Sequence, residues 1–154
     1  YFLMLSTGYP VSPQLLIDAG ELVHSGRFHL VERVLDASEM QALWSRTDVF
    51  VSAPAYDGFS AAETEGRWAG ALPVLNDIPA HQEWAIPDQN AWIVKPFTAD
   101  EVAEVLATLL PRIDELRPIA QALNRAWIAE HADLDVQARQ FLTLAESVVR
   151  RTRQ

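Results

Sequence analysis

Cysteine is absent from the 154-residue sequence. That excludes a disulfide framework and any thiolate metal centre, and it fits a reducing cytoplasm. Long apolar runs are missing too: none approaches the roughly 18 residues needed to cross a bilayer. No secretory signal is visible at the start. Positive charge is scarce, with 12 Lys and Arg against 21 Asp and Glu, a formal net charge of −9. Such a surface repels the DNA backbone and anionic headgroups, so nucleic acid and lipid are set aside as partners of the whole surface. The only basic cluster, Arg150, Arg151 and Arg153, reads as a solvated tail. His24, His29, His81 and His131 follow neither an H-x3-H nor an H-E-x-x-H spacing, so no metal site is expected. Ser6 and Ser60 lack the G-x-S-x-G surroundings of a hydrolase nucleophile. Gly8 lacks the G-x-G-x-x-G of a dinucleotide fold.

What the chain does have is the composition of an ordinary globular domain, 49% hydrophobic, and enough residues for a real core. Tyr1 to Ser6 is short, apolar and followed by Thr7-Gly8-Tyr9-Pro10, which predicts a buried strand ending in a turn. Ser12-Pro13 is a helix start, and that helix should run to about Gly26. Further strands are predicted over Phe28 to Leu35, Asp48 to Ala53, Leu72 to Asn76 and Ala91 to Lys95. Asp36-Ala-Ser-Glu39 and Thr98-Ala-Asp-Glu101 are capping-box spellings, each opening a helix. Other helices are predicted over Ala61 to Gly70, about Ile113 to Glu130 and Asp133 to Arg150. Strands alternating with helices imply one α/β domain, a Rossmann-like parallel sheet flanked by helices. Ligands of such sheets sit at the carboxyl ends of the strands.

The loop after the third strand draws attention on those grounds. Asp57-Gly58-Phe59-Ser60 runs into a helix N-terminus, where free backbone N–H groups and the positive dipole end suit phosphate oxygens. On a helical wheel Ala61, Ala62, Glu65, Trp68 and Ala69 share one face. Glu63 and Arg67 fall on the other, as a surface i, i+4 pair worth about 0.3–0.5 kcal/mol. Glu65 is then a carboxylate on the apolar face, which needs hydrogen bonds to its oxygens. A vicinal diol would supply them; a partly wet position favoured by the helix dipole is the plainer alternative. Asp133-Leu134-Asp135 spells a D-x-D but sits between helices, and reads as a cap. The tryptophans read as packing, with Trp84 the one candidate for a site wall.

Asp57 to Glu65 resembles the E/D-x7-E motif of the family 4, or group 1, retaining glycosyltransferases of the GT-B fold. Asp48-Val-Phe-Val51, Gly70-Ala-Leu-Pro73-Val, Asp77-Ile-Pro79, Glu83-Trp84, Asn90-Ala-Trp-Ile-Val94 and Asn124-Arg125 match further landmarks of that family, in order over nearly the whole chain. The resemblance implies a C-terminal, nucleotide-sugar-binding domain. In it Glu65 would hold ribose hydroxyls and Asp57 hydroxyls of the donor sugar. The loop residues Gly58, Phe59, Ser60 and Ala61 would meet sugar and diphosphate, chiefly through backbone N–H groups. It implies no cofactor and no obligatory metal, with a UDP-, GDP- or ADP-sugar as substrate.

There are departures from the family's pattern. Asp57 stands where many members have Glu. Glu63 replaces an apolar residue, Gly66-Arg67-Trp68 a common Ala-Met-Ala, and Ala91 a common Gly. The family's first strand, with its Gly-Arg turn and following Lys, has no match, and the chain opens on Tyr1 rather than Met. The expectation is therefore a fragment of a two-domain enzyme, inactive alone, lacking the strand that would lie mid-sheet. Its glycan, lipid or small-molecule acceptor would be bound by a missing N-terminal domain. Exposed sheet edges would favour self-association. The location is expected to be cytoplasmic, with membrane-peripheral placement of the full-length protein an option. A non-catalytic assembly module, or degenerate homologue, is the alternative, and a nucleotide-sugar epimerase a third.

Overall fold

The computed structural model describes residues 2–5 and 11–152. The turn expected over Thr7 to Pro10, with Ser6, Gly8 and Arg153, lies outside the described residues. The contacts divide the chain into two compact units, residues 1–42 and 43–154.

The first unit contains β1 (Phe2–Leu5), α1 (Pro13–Asp18), α2 (Gly20–His24), β2 (Phe28–Val31) and the start of α3 (Ala37–Trp44). β1 and β2 pair in parallel, Phe2 opposite Phe28 and Leu5 opposite Val31. Ser12 caps α1 through the Gln14 N–H, with Pro13 at the first position. The single helix expected here breaks at Ala19, whose N–H closes the end of α1 by donating to Leu15 and whose carbonyl starts α2 by accepting from the Val23 N–H. The Asp36 box forms in full: the Glu39 N–H donates to Asp36 Oδ1 at 2.9 Å and the Asp36 N–H to Glu39 Oε2 at 3.0 Å. Arg33 then grips the same Glu39 carboxylate at 2.6 and 2.7 Å.

The second unit carries β3 (Val49–Ser52), α4 (Ala61–Ala69), β4 (Leu72–Asn76), α5 (Pro79–Gln82) and β5 (Trp92–Val94). They are followed by α6 (Ala99–Leu109), one 3-10 turn (Leu110–Arg112), α7 (Ile113–His131) and α8 (Leu134–Thr152). The three strands form a parallel sheet in the order β3-β4-β5. All the pairings are parallel, as the alternation of strands and helices implies. β4 is apolar on both faces because both are covered. Leu72 and Val74 meet Leu109, Leu116 and Ala120, while Leu75 packs with Trp84 and Ala91.

A proline inside a central strand needs an account, since Pro has no N–H for the ladder. The Leu72 N–H donates to the carbonyl of Asp48, the residue before β3, so position 73 faces β5. Pairing with β5 begins only at Val74 opposite Trp92. One residue back, the register would match an N–H at position 73 with the Asn90 carbonyl. That carbonyl instead accepts from the buried Asn124 Nδ2 at 3.1 Å. The donor that Pro73 lacks is supplied from α7.

Candidate functional site

The loops at the carboxyl ends of β3 and β4 meet. Asn76 Nδ2, from the end of β4, donates to the Pro54 carbonyl at 2.8 Å. The Asn76 carbonyl accepts from His81 Nδ1 at 2.7 Å; a carbonyl only accepts, so Nδ1 carries the proton. Lys95 and Gln82 both donate to Asp77, at 2.5 and 2.6 Å. Those hydrogen bonds, Lys95 first, hold the Asp77 carboxyl below its usual range.

Ser60 caps α4. Its Oγ accepts from the Glu63 N–H at 3.3 Å, and its carbonyl accepts from the Thr64 N–H at 3.0 Å and Oγ1 at 2.9 Å. The first-turn N–H groups at Ala61 and Ala62 have no acceptor within the helix, and the dipole adds positive potential there. The other end of α4 is tied to α7: Gln121 Nε2 donates to the Trp68 and Ala69 carbonyls, and Arg125 Nε to Trp68 at 2.8 Å. Gly70 closes the helix at φ +99, a left-handed conformation that favours glycine.

The two faces of α4 are the reverse of the helical-wheel expectation. Glu63 and Arg67 are buried, at 6% and 2% exposure. Glu65 and Trp68 are exposed. The physical reason lies outside the helix. Trp84 and Trp127 present ring faces to the Arg67 guanidinium, whose centre lies 3.6 and 5.2 Å from their centroids. His81 Nε2 stands 3.3 Å from Glu63 Oε2. Burial lowers the Arg67 pKa to about 10, with the Glu63 charge acting against that shift, so the guanidinium stays charged near neutral pH. Aromatic faces and a buried imidazole can shelter charge that small alanines cannot.

Glu65 is held differently. Trp44 Nε1 donates to its Oε2 at 3.3 Å. The Trp44 ring lies so close over α4 that a Cβ at Gly66 would come within 2.9 Å of it, and within 3.1 Å of Phe50. Gly66 is therefore what lets Trp44 reach Glu65.

A cleft opens between the Asp57–Ser60 loop, the inward face of α4, α5 and Trp127. Asp57, Gly58, Phe59 and Ser60 all line it, and so does Trp84, as expected of a site wall. Ala61 is exposed at the helix start and does not line it, nor does Glu65, which lies on the other flank of α4. Glu63, Arg67, His81 and Trp127 also line the cleft and were not expected there. Only Asp77-Ile-Pro-Ala-His81, a Pro-opened turn after a strand end, pointed towards one of them. The cleft is narrow, with about 20 Å³ of space, room for one water-sized group. Glu63 Oε1 and Arg67 Nε and Nη1 are buried there without a hydrogen-bond partner, while His81 Nε2 has the second Glu63 oxygen at 3.3 Å. Among the described residues no cluster of His, Asp and Glu could hold a metal ion. Asp133 is a cap, as read: its Oδ1 accepts from the Val136 N–H at 3.0 Å.

Solved structures share this architecture. Sucrose-phosphate synthase from Thermosynechococcus elongatus matches at a TM-score of 0.77 and 18% identity, over 96% of this chain and 38% of the other. The C-terminal domain of a group 1 family glycosyl transferase from Francisella tularensis matches at 0.61 and 18%, over 80% of this chain and 66% of the other. Anabaena HepE, solved in complex with UDP-glucose, matches at 0.71 and 13%, over 94% of this chain and 40% of the other.

The fold is that of a GT-B glycosyltransferase.

The chain spans about two fifths of the sucrose-phosphate synthase and HepE chains it matches, so it has the architecture of part of such a protein. No protein-family model matches the chain, and no curated protein matches it in sequence. No helix among the described residues is long and apolar enough to cross a membrane.

Proposed function

We propose that this chain is the donor-binding part of a retaining glycosyltransferase of the group 1 type, taking a nucleotide-diphospho-sugar. The observation that carries the reading is the Asp57–Ser60 loop at the end of β3, running into the capped N-terminus of α4, with Glu65 on the exposed flank. A diphosphate suits the unpaired N–H groups and dipole of that helix end. Glu65 is accessible and accepts one hydrogen bond from Trp44, which orients the carboxylate and leaves lone pairs for two ribose hydroxyls. Asp57, half-buried in the cleft beside the loop, suits hydroxyls of the sugar. The charge on a departing diphosphate would be met by fixed dipoles and N–H groups already in place, a kind of stabilisation that needs no metal.

The test is calorimetric. UDP, GDP and ADP are titrated into the full chain and into Glu65→Ala. Losing hydrogen bonds to a charged acceptor should weaken the preferred nucleotide about tenfold or more. Equal affinity in the variant would remove Glu65 from the site. No binding of any of the three nucleotides would turn the assignment towards a non-catalytic assembly module.

A further inference from the structure

The partnerless atoms in the cleft define a chemistry of their own. Glu63 Oε1 is an acceptor, Arg67 Nε and Nη1 are donors, and all are buried. His81 donates its Nδ1–H to the Asn76 carbonyl, and its Nε2 lies 3.3 Å from Glu63 Oε2, beside the same carboxylate. Buried polar atoms of this kind call for a partner. The cleft that these atoms line together with the Asp57–Ser60 loop is narrow, with about 20 Å³ of space, room for one water-sized group. An anion would meet Glu63 and a cation would meet Arg67, so the opposed charges favour a neutral group. That group must be the size of a water oxygen, and must both donate and accept. An alcohol hydroxyl fits all three conditions. Arg67 is also fixed in place, its guanidinium stacked on Trp84, so its donors point in a set direction.

We propose that Glu63, Arg67 and His81 form a hydroxyl-reading pocket, which accepts one hydroxyl of the sugar held at the Asp57 loop and so sets which sugar is taken. The inference rests on the donor-binding reading above, because it needs a sugar at that loop. It assigns specificity to residues on the flank of α4 opposite Glu65. A site built to hydrogen-bond a hydroxyl rejects the analogue lacking it, since the buried groups are left unpaired.

Calorimetry on the full chain tests it in two stages. UDP, GDP and ADP first identify the base. The gluco, galacto and manno diphospho-sugars of that base follow, then the 2-, 3-, 4- and 6-deoxy forms of the tightest. One deoxy form should bind at least about tenfold more weakly than its parent. Glu63→Gln and Arg67→Lys should level that difference while leaving the free nucleoside diphosphate unaffected, whereas Asp57 and Glu65 stay intact in both.

A measurement on the unsubstituted chain guards against variants that fail to fold. The indole N–H resonances of Trp84 and Trp127 should shift with the sugar nucleotide and not with the nucleoside diphosphate alone. Deoxy forms all binding within about twofold of the parent, discrimination that survives Glu63→Gln, or unmoved indole signals would overturn the pocket while the donor site stands. Absence of any nucleotide binding would remove the donor site, and the pocket with it.

Discussion

A guanidinium enclosed by indoles, as Arg67 is, keeps its charge through three compensations: stacking on Trp84, proximity to Trp127 and the field of Glu63. Removing it leaves Glu63 buried with an uncompensated charge. Arg67→Ala should therefore destabilise the chain by about 3–5 kcal/mol, read as a lower midpoint in urea. Glu65→Ala, at an exposed position with one long hydrogen bond from Trp44, should stay within about 0.5 kcal/mol. The two carboxylates of α4 thus separate by experiment: Glu65 should matter for nucleotide and not for folding, and Glu63 for both folding and sugar choice. Since burial holds the folded pKa of Arg67 below its ordinary value, at about 10, the unfolded chain binds more protons from about that pH up to the ordinary value. Stability from this group rises with pH only in that alkaline window, and near neutrality it is a constant penalty.

Gly66 shows how α4 is tuned as an element. In an open helix a glycine-to-alanine change would stabilise by about 1 kcal/mol. Here the added methyl meets Trp44 and Phe50 at 2.9 and 3.1 Å, so Gly66→Ala should cost about 1–3 kcal/mol in thermal unfolding. It should also weaken nucleotide binding by shifting Trp44 off Glu65. The sheet offers a second case. Asn124→Leu strips the Asn90 carbonyl of its donor and should cost about 1–3 kcal/mol. Pro73→Val restores a backbone N–H at the register position facing that carbonyl. In a double-mutant cycle the combined cost should be less than the sum of the parts.

These elements also show what the sequence makes legible. Capping side chains announce themselves locally, and Ser12, Asp36, Ser60 and Thr98 all open helices. β4 coincides with its reading because an apolar run bounded by Gly70 and Asp77 has few alternatives. α5 is a single turn and carries no periodicity to detect. The face of α4 was misread for a different reason. Periodicity assumes that charged residues face water, whereas Glu63 and Arg67 face inwards because His81, Trp84 and Trp127 come from α5, its following turn and α7. Compensation from remote elements leaves no local mark. The same holds for Trp68, whose spacing reads as packing but which is half exposed under Arg125.

Across the whole molecule, order is unevenly distributed. All the buried residues among those described lie at or beyond Glu63, and both apolar clusters belong to the second unit. Local opening is easiest where few apolar groups are buried. In native-state hydrogen exchange, amides of residues 11–42 should therefore exchange faster than those of β4 and α7. Equal protection across both units would contradict this. The cleft lies in the better-packed unit, and its floor is a closed circuit: Pro54 to Asn76, Asn76 to His81, His81 to Glu63, and Glu63 through α4 back to the Ser60 cap. A circuit of that kind has no free end to swing. Its geometry is set before any ligand arrives, so little entropy is left to lose on docking. Association at this site should be governed by encounter and desolvation rather than by loop ordering.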